Sequence, residues 1–272
     1  MKFSVLMSVY INEKAEYLDQ CFSSIASQTM LPNEVVVVQD GPLTDALYSV
    51  IAIWKLKLPI VDVVLEKNCG LGVALNEGLE NCSNELVARV DTDDVNNDTR
   101  FERQIELFNS DISLAICGSQ IDEVTCETLD LMSRRKVKEL NCDILKESVV
   151  RNPFNHMTVM FKKSIVKSVG GYQHMTSMED WYLWLRILSE GYKGYNIQES
   201  LVYARTGKEM MVRRSGLKYV GYEMCIARAK WHIFHGQRLR IIFSFLIRAA
   251  PRILPKHLLH RVYLLSRRNN AS

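Results

Sequence analysis

Residues 86–94 of this chain read LVARVDTDD, and this stretch decides how the rest of the sequence is interpreted. Its first five residues are largely apolar, which predicts a short buried strand. Three carboxylates, Asp91, Asp93 and Asp94, follow within four residues. Clustered carboxylates repel one another and lose hydration, so a bound cation stabilises them, and hard oxygen ligands suit Mg²⁺ or Mn²⁺. The alternative is that Asp93 and Asp94 only open a solvated loop or cap a helix that begins near Thr99.

Strands and helices alternate upstream of this strand. Apolar runs predict strands at 3–10, 34–39 and 61–65, and amphipathic stretches predict helices at 12–28, at 44–55 and from residues 68–72 to about 81. The run EVVVVQ at 34–39 has an uninterrupted apolar centre, as in a parallel strand that is buried on both faces. This order predicts an α/β fold with a Rossmann-like mixed central sheet flanked by helices. Ligands bind such sheets at the carboxyl ends of the strands, where the acidic residues lie.

Charge is unevenly distributed along the 272 residues. The formal net charge is +3, but from residue 224 onward there are ten Lys or Arg and no Asp or Glu. This leaves 24 basic and 31 acidic residues in the first 223, a net charge of −7. An acidic body with a basic tail indicates that the tail contacts nucleic acid or an anionic membrane.

The seven cysteines form no CxxC pair, and no secretory signal precedes the first predicted strand. Reduced thiols in a cytoplasmic protein are therefore expected, most of them as packing residues.

Several short motifs follow one another at regular intervals. In the first half they are SVLMSVY (4–10), VVVVQDGP (35–42), NCGLGVALNEG (68–78) and DTDD (91–94). In the second half they are NPFNH (152–156), VMF (159–161), GGY (170–172), MEDWYLWL (178–185) and VYAR (202–205). Together they resemble the inverting family 2 glycosyltransferases of the GT-A fold, of the bacterial surface-polysaccharide type.

The resemblance covers about residues 3–215 and implies a division of the chain. A GT-A catalytic domain at 1–215 would comprise a nucleotide-sugar-binding half, 1–98, and an acceptor half, 99–215. Residues 216–272 would form a C-terminal helical basic extension.

For the nucleotide, the resemblance implies that Asp40 accepts a hydrogen bond from N3–H of a uracil ring. Asn68 and Gly70 would form part of the pocket wall, because glycine lets a backbone approach a ligand at a helix N-terminus. The alternative for Asp40 is a turn residue in the sequence Asp-Gly-Pro.

For the diphosphate, the resemblance matches the acidic cluster to the DXD element of the family. Asp93 would lie near the ribose and the metal, and Asp94 would ligate a Mn²⁺ or Mg²⁺ ion that bridges the two phosphates, with Asp91 nearby. Either Arg100 or Arg103 could face a phosphate, although a solvated i,i+3 pair is the alternative for Arg103.

Basic residues further along are also implied in diphosphate binding. Arg205, Arg213 and Arg214 lie where the family carries such residues, and a flexible segment at 210–214 would close over the donor.

On the acceptor side, the resemblance implies that Asp180 is the general base and that Glu179 supports it. The alternative is an acidic pair that complements the dipole of a helix extending to about residue 189. Trp181 and Trp184 could stack on a sugar, although one of them is expected in the core. His156 is a candidate acceptor contact, with a satisfied structural histidine as the alternative.

The basic tail contains short apolar runs at 241–243, 245–247, 253–254 and 258–259. None reaches the 18 or so residues of a transmembrane helix. Basic helices with apolar faces lie in an anionic membrane interface, which predicts a peripheral protein on the inner face of the cytoplasmic membrane. The alternative is that these helices pack on the catalytic domain.

The predicted function is transfer of a hexose from a UDP-sugar to a lipid-linked saccharide on a polyprenyl diphosphate, in O-antigen, capsule or exopolysaccharide assembly. Galactose or glucose and a β-linkage are expected from the resemblance. A nucleotidyltransferase of similar fold is the first alternative, but no early Gly-rich loop with a basic residue supports it. A non-catalytic nucleic-acid-binding protein is the second, and the aliphatic tail without aromatic platforms argues against a nucleic-acid partner.

Overall fold

The computed structural model describes residues 1–206 and 216–253, and one mixed nine-stranded sheet runs through the first of these segments. The strands are β1 (Phe3–Val9), β2 (Glu34–Gln39), β3 (Ile60–Val64), β4 (Leu86–Arg89), β5 (Val95–Asn96), β6 (Leu114–Val124), β7 (Leu131–Arg135), β8 (Met160–Lys162) and β9 (Lys193–Arg205). The helices are α1 (Ala15–Ala26), α2 (Asp45–Trp54), α3 (Leu71–Asn81), α4 (Arg100–Ser110), α5 (Asn141–Ser148), α6 (Lys163–Ser168), α7 (Glu179–Ser189), α8 (Leu217–Ile233) and α9 (Arg238–Ile253).

The strand order confirms the predicted Rossmann-like mixed sheet. The order is β3-β2-β1-β4-β8-β6-β9-β5, with β7 paired to β6. The first four strands are parallel, and β8 is antiparallel to both β4 and β6. The carboxyl ends of β1, β2 and β4 therefore meet at one edge of the sheet, where ligands bind in folds of this kind.

Helices cover both faces of the parallel strands. Val35 and Val37 of β2 pack in a core with residues of α1 and α2, whereas Val36 and Val38 pack in a second core with residues of α3. All four valines are fully buried, as the uninterrupted apolar run predicts. Burial on both faces holds the strand ends rigidly, which positions the side chains that follow them.

The second half of the chain returns to the acidic loop, Asp91–Asp94, through β9. This strand runs parallel to β6 over most of its length and is interrupted by bulges. Near its end, Val202 and Tyr203 pair with Asn96 and Val95 of β5, the short strand directly after the acidic loop. Pairing at this point brings Arg205 beside the acidic loop.

The C-terminal helix pair, α8 and α9, packs on the part of the chain described as residues 1–206. The two helices contact each other, and α8 also contacts α7. The alternative prediction, that these helices pack on the preceding domain, is therefore correct for the side of the pair that faces α7. In the described residues no helix is both long and apolar enough to cross a bilayer. Two predictions lie outside the described residues. One is the apolar runs beyond residue 253, and the other is the closing segment at 210–214 with Arg213 and Arg214.

The cysteine prediction is only partly correct. All seven thiols are free, but only Cys21, Cys82 and Cys117 are buried. Cys69, Cys142 and Cys225 are exposed because they lie in a loop or on the outer side of helices. Most of the cysteines are therefore not core packing residues.

Candidate active site

The three carboxylates of the acidic loop lie together at the carboxyl end of β4. One oxygen from each of Asp91, Asp93 and Asp94 lies within 4.8 Å of the others. Helix α4 begins only at Arg100, with Thr99 at its N-cap, so Asp93 and Asp94 do not cap it. A set made only of carboxylate oxygens suits a hard divalent cation, which keeps part of its shell for water and phosphate.

Burial and mutual repulsion perturb these acids strongly. Asp94 is only 3% exposed. Burial, followed by the charges of Asp93 and Asp91, raises the pKa of Asp94 well above its ordinary value. Burial, together with Asp91 and Glu13, raises the pKa of Asp93 to about 7. A divalent cation would relieve this repulsion, so the residues present fit one.

Arg205 holds the acidic loop from the opposite strand. Its backbone N–H donates to the Asp94 carboxylate at 2.9 Å. Its guanidinium donates to the carbonyl of Asp93, to the side chain of Gln20 and to the carbonyl of Cys126. In this arrangement Arg205 positions Asp93 and Asp94, and its contact with a diphosphate remains a prediction.

Two further residues that the sequence analysis missed support the same loop. Arg89, at the end of β4, is 1% exposed and forms an ion pair with Asp91. Glu13, in the loop after β1, accepts a hydrogen bond from the hydroxyl of Thr92. A charged residue at the end of an otherwise apolar strand, as in LVAR, is the signal that could have identified Arg89.

The residues predicted for the nucleotide pocket are brought together. The Asp40 carboxylate accepts from the backbone N–H groups of Cys69 at 2.7 Å and Gly70 at 3.1 Å, and the Asn68 amide donates to the Asp40 carbonyl. Gly41 has a φ of +86°, and a Cβ there would lie 2.6 Å from the Asn68 nitrogen. Asp40 therefore fixes the turn that opens α3, and the contact with a uracil ring remains a prediction.

The predicted general base lies in the first turn of α7. Asn152 donates to Oδ2 of Asp180 at 2.6 Å, a contact that the sequence analysis missed. Burial, together with the Asp180 charge, raises the pKa of the neighbouring Glu179. A Cβ on Gly72 would lie 3.5 Å from Cγ of Glu179, so the first turns of α3 and α7 face each other.

The aromatic residues near α7 are structural. Trp181 and Trp184 are 2% and 0% exposed, so the prediction that one of them stacks on a sugar is wrong for both. His156 shares a hydrogen bond of 2.9 Å with the Tyr172 hydroxyl, and burial lowers the pKa of His156 well below its ordinary value. The neutral imidazole matches the alternative of a satisfied structural histidine.

The two arginines of α4, Arg100 and Arg103, occupy different environments. Arg100 is fully buried and donates to the side chains of Asn96 and Gln104 and to the carbonyl of Arg89. It therefore does not face a phosphate, because its charge is used to join β4 to β5. Arg103 is exposed and forms the predicted i,i+3 ion pair with Glu106.

Known glycosyltransferases resemble this chain in sequence. The Glycosyl transferase family 2 pattern matches residues 4–169, more than half of the chain. The chain is 40% identical to the amylovoran biosynthesis glycosyltransferase AmsE of Erwinia amylovora, over 96% of this chain and 97% of that protein. It is also 40% identical to an Escherichia coli UDP-Gal:alpha-D-GlcNAc-diphosphoundecaprenol beta-1,3-galactosyltransferase, over 93% and 92% of the two chains.

Solved structures show the same fold. S. aureus TarS 1-349 in complex with UDP-GlcNAc superposes with a TM-score of 0.69 at 21% identity, over 91% of this chain and 72% of that chain. The predicted GT-A fold and the resemblance to family 2 glycosyltransferases of surface-polysaccharide synthesis are thereby confirmed. The enzyme class also excludes the nucleotidyltransferase and the non-catalytic alternatives. The chain belongs to glycosyl transferase family 2 and is a glycosyltransferase.

Proposed function

We propose that the enzyme is a divalent-metal-dependent inverting transferase that moves galactose from UDP-galactose to a saccharide on a lipid diphosphate, with a β-linkage. The observation that carries this proposal is a site with two kinds of carboxylate: the cluster of the acidic loop, which suits a metal ion, and Asp180, held by Asn152 in the first turn of α7. The Escherichia coli relative, 40% identical over almost its whole length, supports the choice of donor and acceptor. Glucose is the second donor candidate.

On the donor side, Asp40, Asn68 and Gly70 would receive the uridine, and Asp91 and Asp93 would face the ribose and sugar. Asp93 and Asp94 would hold Mn²⁺ or Mg²⁺, which when bound neutralises charge on the departing diphosphate. Arg205 keeps both carboxylates in place through its backbone and side chain. These donor residues belong to the proposed nucleotide-sugar-binding half, 1–98, of a catalytic domain at 1–215, and Arg205 supports them from the proposed acceptor half, 99–215.

On the acceptor side, Asp180 would take the proton of the attacking hydroxyl. An inverting transfer is a single in-line displacement, so the base lies opposite the leaving diphosphate. The Asn152 amide orients one carboxylate oxygen of Asp180 at 2.6 Å. A carboxylate that is already held in the productive orientation lowers the activation free energy, because less conformational entropy is lost when the transition state forms.

The proposed function is tested with a panel of UDP-sugars. The full chain is mixed with Mn²⁺ and with GlcNAc-α-diphosphate on a short alkyl chain, and release of UDP is measured. UDP-galactose is expected to give the fastest acceptor-dependent release. Equal release without the acceptor, or preference for a GDP-sugar, would contradict the proposal.

The first prediction concerns pH and the metal. Because burial and neighbouring charges raise the pKa of Asp93 to about 7 and that of Asp94 well above its ordinary value, Mn²⁺ must displace at least one proton at low pH, and its affinity should rise with pH. For one displaced proton, binding should be roughly tenfold tighter at about pH 8 than at about pH 6. Calorimetry in two buffers of different ionisation heat would count the proton. Asp93→Asn should release one proton fewer for each bound Mn²⁺ than the wild type does; a flat profile in the wild type would contradict the prediction.

We also propose that the enzyme works at the inner face of the cytoplasmic membrane, where α9 contacts anionic lipids. Five large apolar side chains are exposed at helical spacing on α9: Leu239, Ile242, Phe243, Leu246 and Ile247. Arg240 lies on the same helix, and no acidic residue occurs from residue 224 to the end of the chain. Apolar area combined with positive charge is typical of helices that lie in a membrane interface.

The second prediction tests this surface. Replacing Phe243 and Leu246 by Ser should weaken binding to phosphatidylglycerol vesicles by roughly 10- to 100-fold, because two partly inserted apolar side chains are lost. Cosedimentation would measure the change. The matched control replaces Leu56 and Ile112, which are 87% and 79% exposed elsewhere, by Ser. Equal binding of the two variants would contradict a specific role for α9.

A further inference from the structure

The C-terminal helix pair contacts the helix that carries the proposed general base. Trp181, the residue after Asp180, is buried, and the cationic groups of Lys230 from α8 and Arg248 from α9 lie over its ring at 3.5 and 4.7 Å from the centroid. Burial, together with Arg248, lowers the pKa of Lys230 to about 6. Of these two cations, Arg248 is the one that is also paired with a buried carboxylate, Glu223, which makes Arg248 the residue to test.

Arg248 is itself fixed by a buried acid. Its Nε and Nη2 donate to the two carboxylate oxygens of Glu223 on α8, at 2.8 and 2.7 Å. Glu223 is 1% exposed, and Arg252 lies 3.8 Å from one of its oxygens. A bidentate pair on a buried carboxylate holds the guanidinium in one orientation. Arg248 is thus held in a fixed position over Trp181, unlike an arginine that moves freely on the surface.

A second connection reaches Asp180 through the segment after α5. The Ser244 hydroxyl of α9 donates to the carbonyl of Val150 at 3.0 Å, and the Trp181 indole N–H donates to the carbonyl of Ser148 at 2.9 Å. Two residues beyond Val150, Asn152 donates to the Asp180 carboxylate. The segment 148–152 is therefore fixed by α9 and α7 on one side and orients the proposed base on the other.

We propose that the C-terminal helix pair positions the general base, with Arg248 as the main positioning residue. The inference rests on the proposed function, since it takes Asp180 as the base. Arg248 acts through Trp181, and Ser244 acts through Val150 and Asn152; neither touches substrate. A displacement of about 1 Å at a reacting group can cost up to roughly 100-fold in rate. The helix pair therefore serves to position Asp180, in addition to its proposed contact with lipid.

The test is a double-mutant cycle in the full chain. Turnover is measured without vesicles, with UDP-galactose and GlcNAc-α-diphosphate on a short alkyl chain, for wild type, Arg248→Ala, Asp180→Asn and the double variant. Arg248→Ala is expected to lower kcat roughly tenfold or more and to leave the KM for UDP-galactose unchanged. In the Asp180→Asn background the same change should lower kcat less than twofold, because the base through which Arg248 acts is absent.

Two further variants separate positioning from general destabilisation. Lys218→Ala removes an exposed cation of α8 that belongs to neither the proposed site nor the proposed lipid surface, and should leave kcat unchanged. Ser244→Ala removes only the hydroxyl bonded to Val150 and gives the same non-additivity test should Arg248→Ala not fold. Arg248→Lys, which keeps a cation over Trp181, should recover part of the rate.

Three results would overturn the inference. One is wild-type turnover in both Arg248→Ala and Ser244→Ala, and another is an equal loss in the presence and absence of Asp180. A third is an equal loss in Lys218→Ala. By contrast, wild-type turnover in Asp180→Asn alone would refute the base assignment of the proposed function, and the two failures are therefore distinguishable.

Discussion

Replacing Asp180 by Asn is expected to lower turnover by roughly 10²- to 10⁴-fold, the usual contribution of general-base catalysis. The Asn side chain keeps the shape of the carboxylate and can still accept a hydrogen bond from Asn152, but it cannot take the acceptor proton. Affinity for UDP-galactose should change little, because the proposed nucleotide residues lie elsewhere: Asp40 directly follows β2, and Asn68 lies in the turn before α3. The measurement is kcat together with donor affinity in the same variant.

The alternative for Asp180 is a charge that complements the dipole of α7. In that case Asn would cost about 0.3–1 kcal/mol of stability and would leave turnover nearly intact. Glu179→Gln is the matched control, since it neutralises the neighbouring acid in the same helical turn. Intact turnover in Asp180→Asn with a large loss in Glu179→Gln would transfer the role of base to Glu179.

The second large effect is expected for Asp94. Asp94→Ala should abolish metal-dependent UDP binding and turnover, because a carboxylate proposed to ligate the metal is lost. The fold should persist, since Asp94 lies in a loop and not in either apolar core. In wild type, UDP and Mn²⁺ at about 100 times Kd should stabilise the native state by about 2.7 kcal/mol, and this gain should disappear in the variant.

Asp94→Asn is the more conservative form of the same test. Its amide oxygen can still accept from the Arg205 backbone N–H, which Asp94 accepts at 2.9 Å. This variant therefore separates loss of a metal ligand from loss of the contact that fixes the loop. Near-wild-type turnover of Asp94→Asn in Mn²⁺ would show that the metal assignment is wrong.

The first half of the fold could be predicted because its signals are local. The strand EVVVVQ and the alternation of strands and helices are read from neighbouring residues, and β2 matches its predicted range of 34–39. The position of the acidic loop follows in the same way, since a charged run after an apolar strand marks a strand end. The clustering of Asp91, Asp93 and Asp94 could therefore be predicted from the local sequence alone.

The supporting contacts could not be predicted because they join residues far apart in sequence. Arg205 meets Asp94 across 111 positions and Asn152 meets Asp180 across 28, and no periodicity encodes such pairs. Arg100 was predicted as a possible phosphate contact, but its side chain is buried. An arginine at a helix start is normally solvated, but here a carbonyl and two amide side chains satisfy it inside the protein.

The anomeric configuration of the product tests the central claim most directly. The full chain is incubated with UDP-galactose, Mn²⁺ and GlcNAc-α-diphosphate on a short alkyl chain, and the new glycosidic bond is assigned by NMR. A metal-dependent in-line displacement with Asp180 as base predicts a β-galactoside, inverted from the α-configuration of the donor, and no product in excess EDTA. An α-galactoside, or the same yield of product in EDTA, would contradict the account.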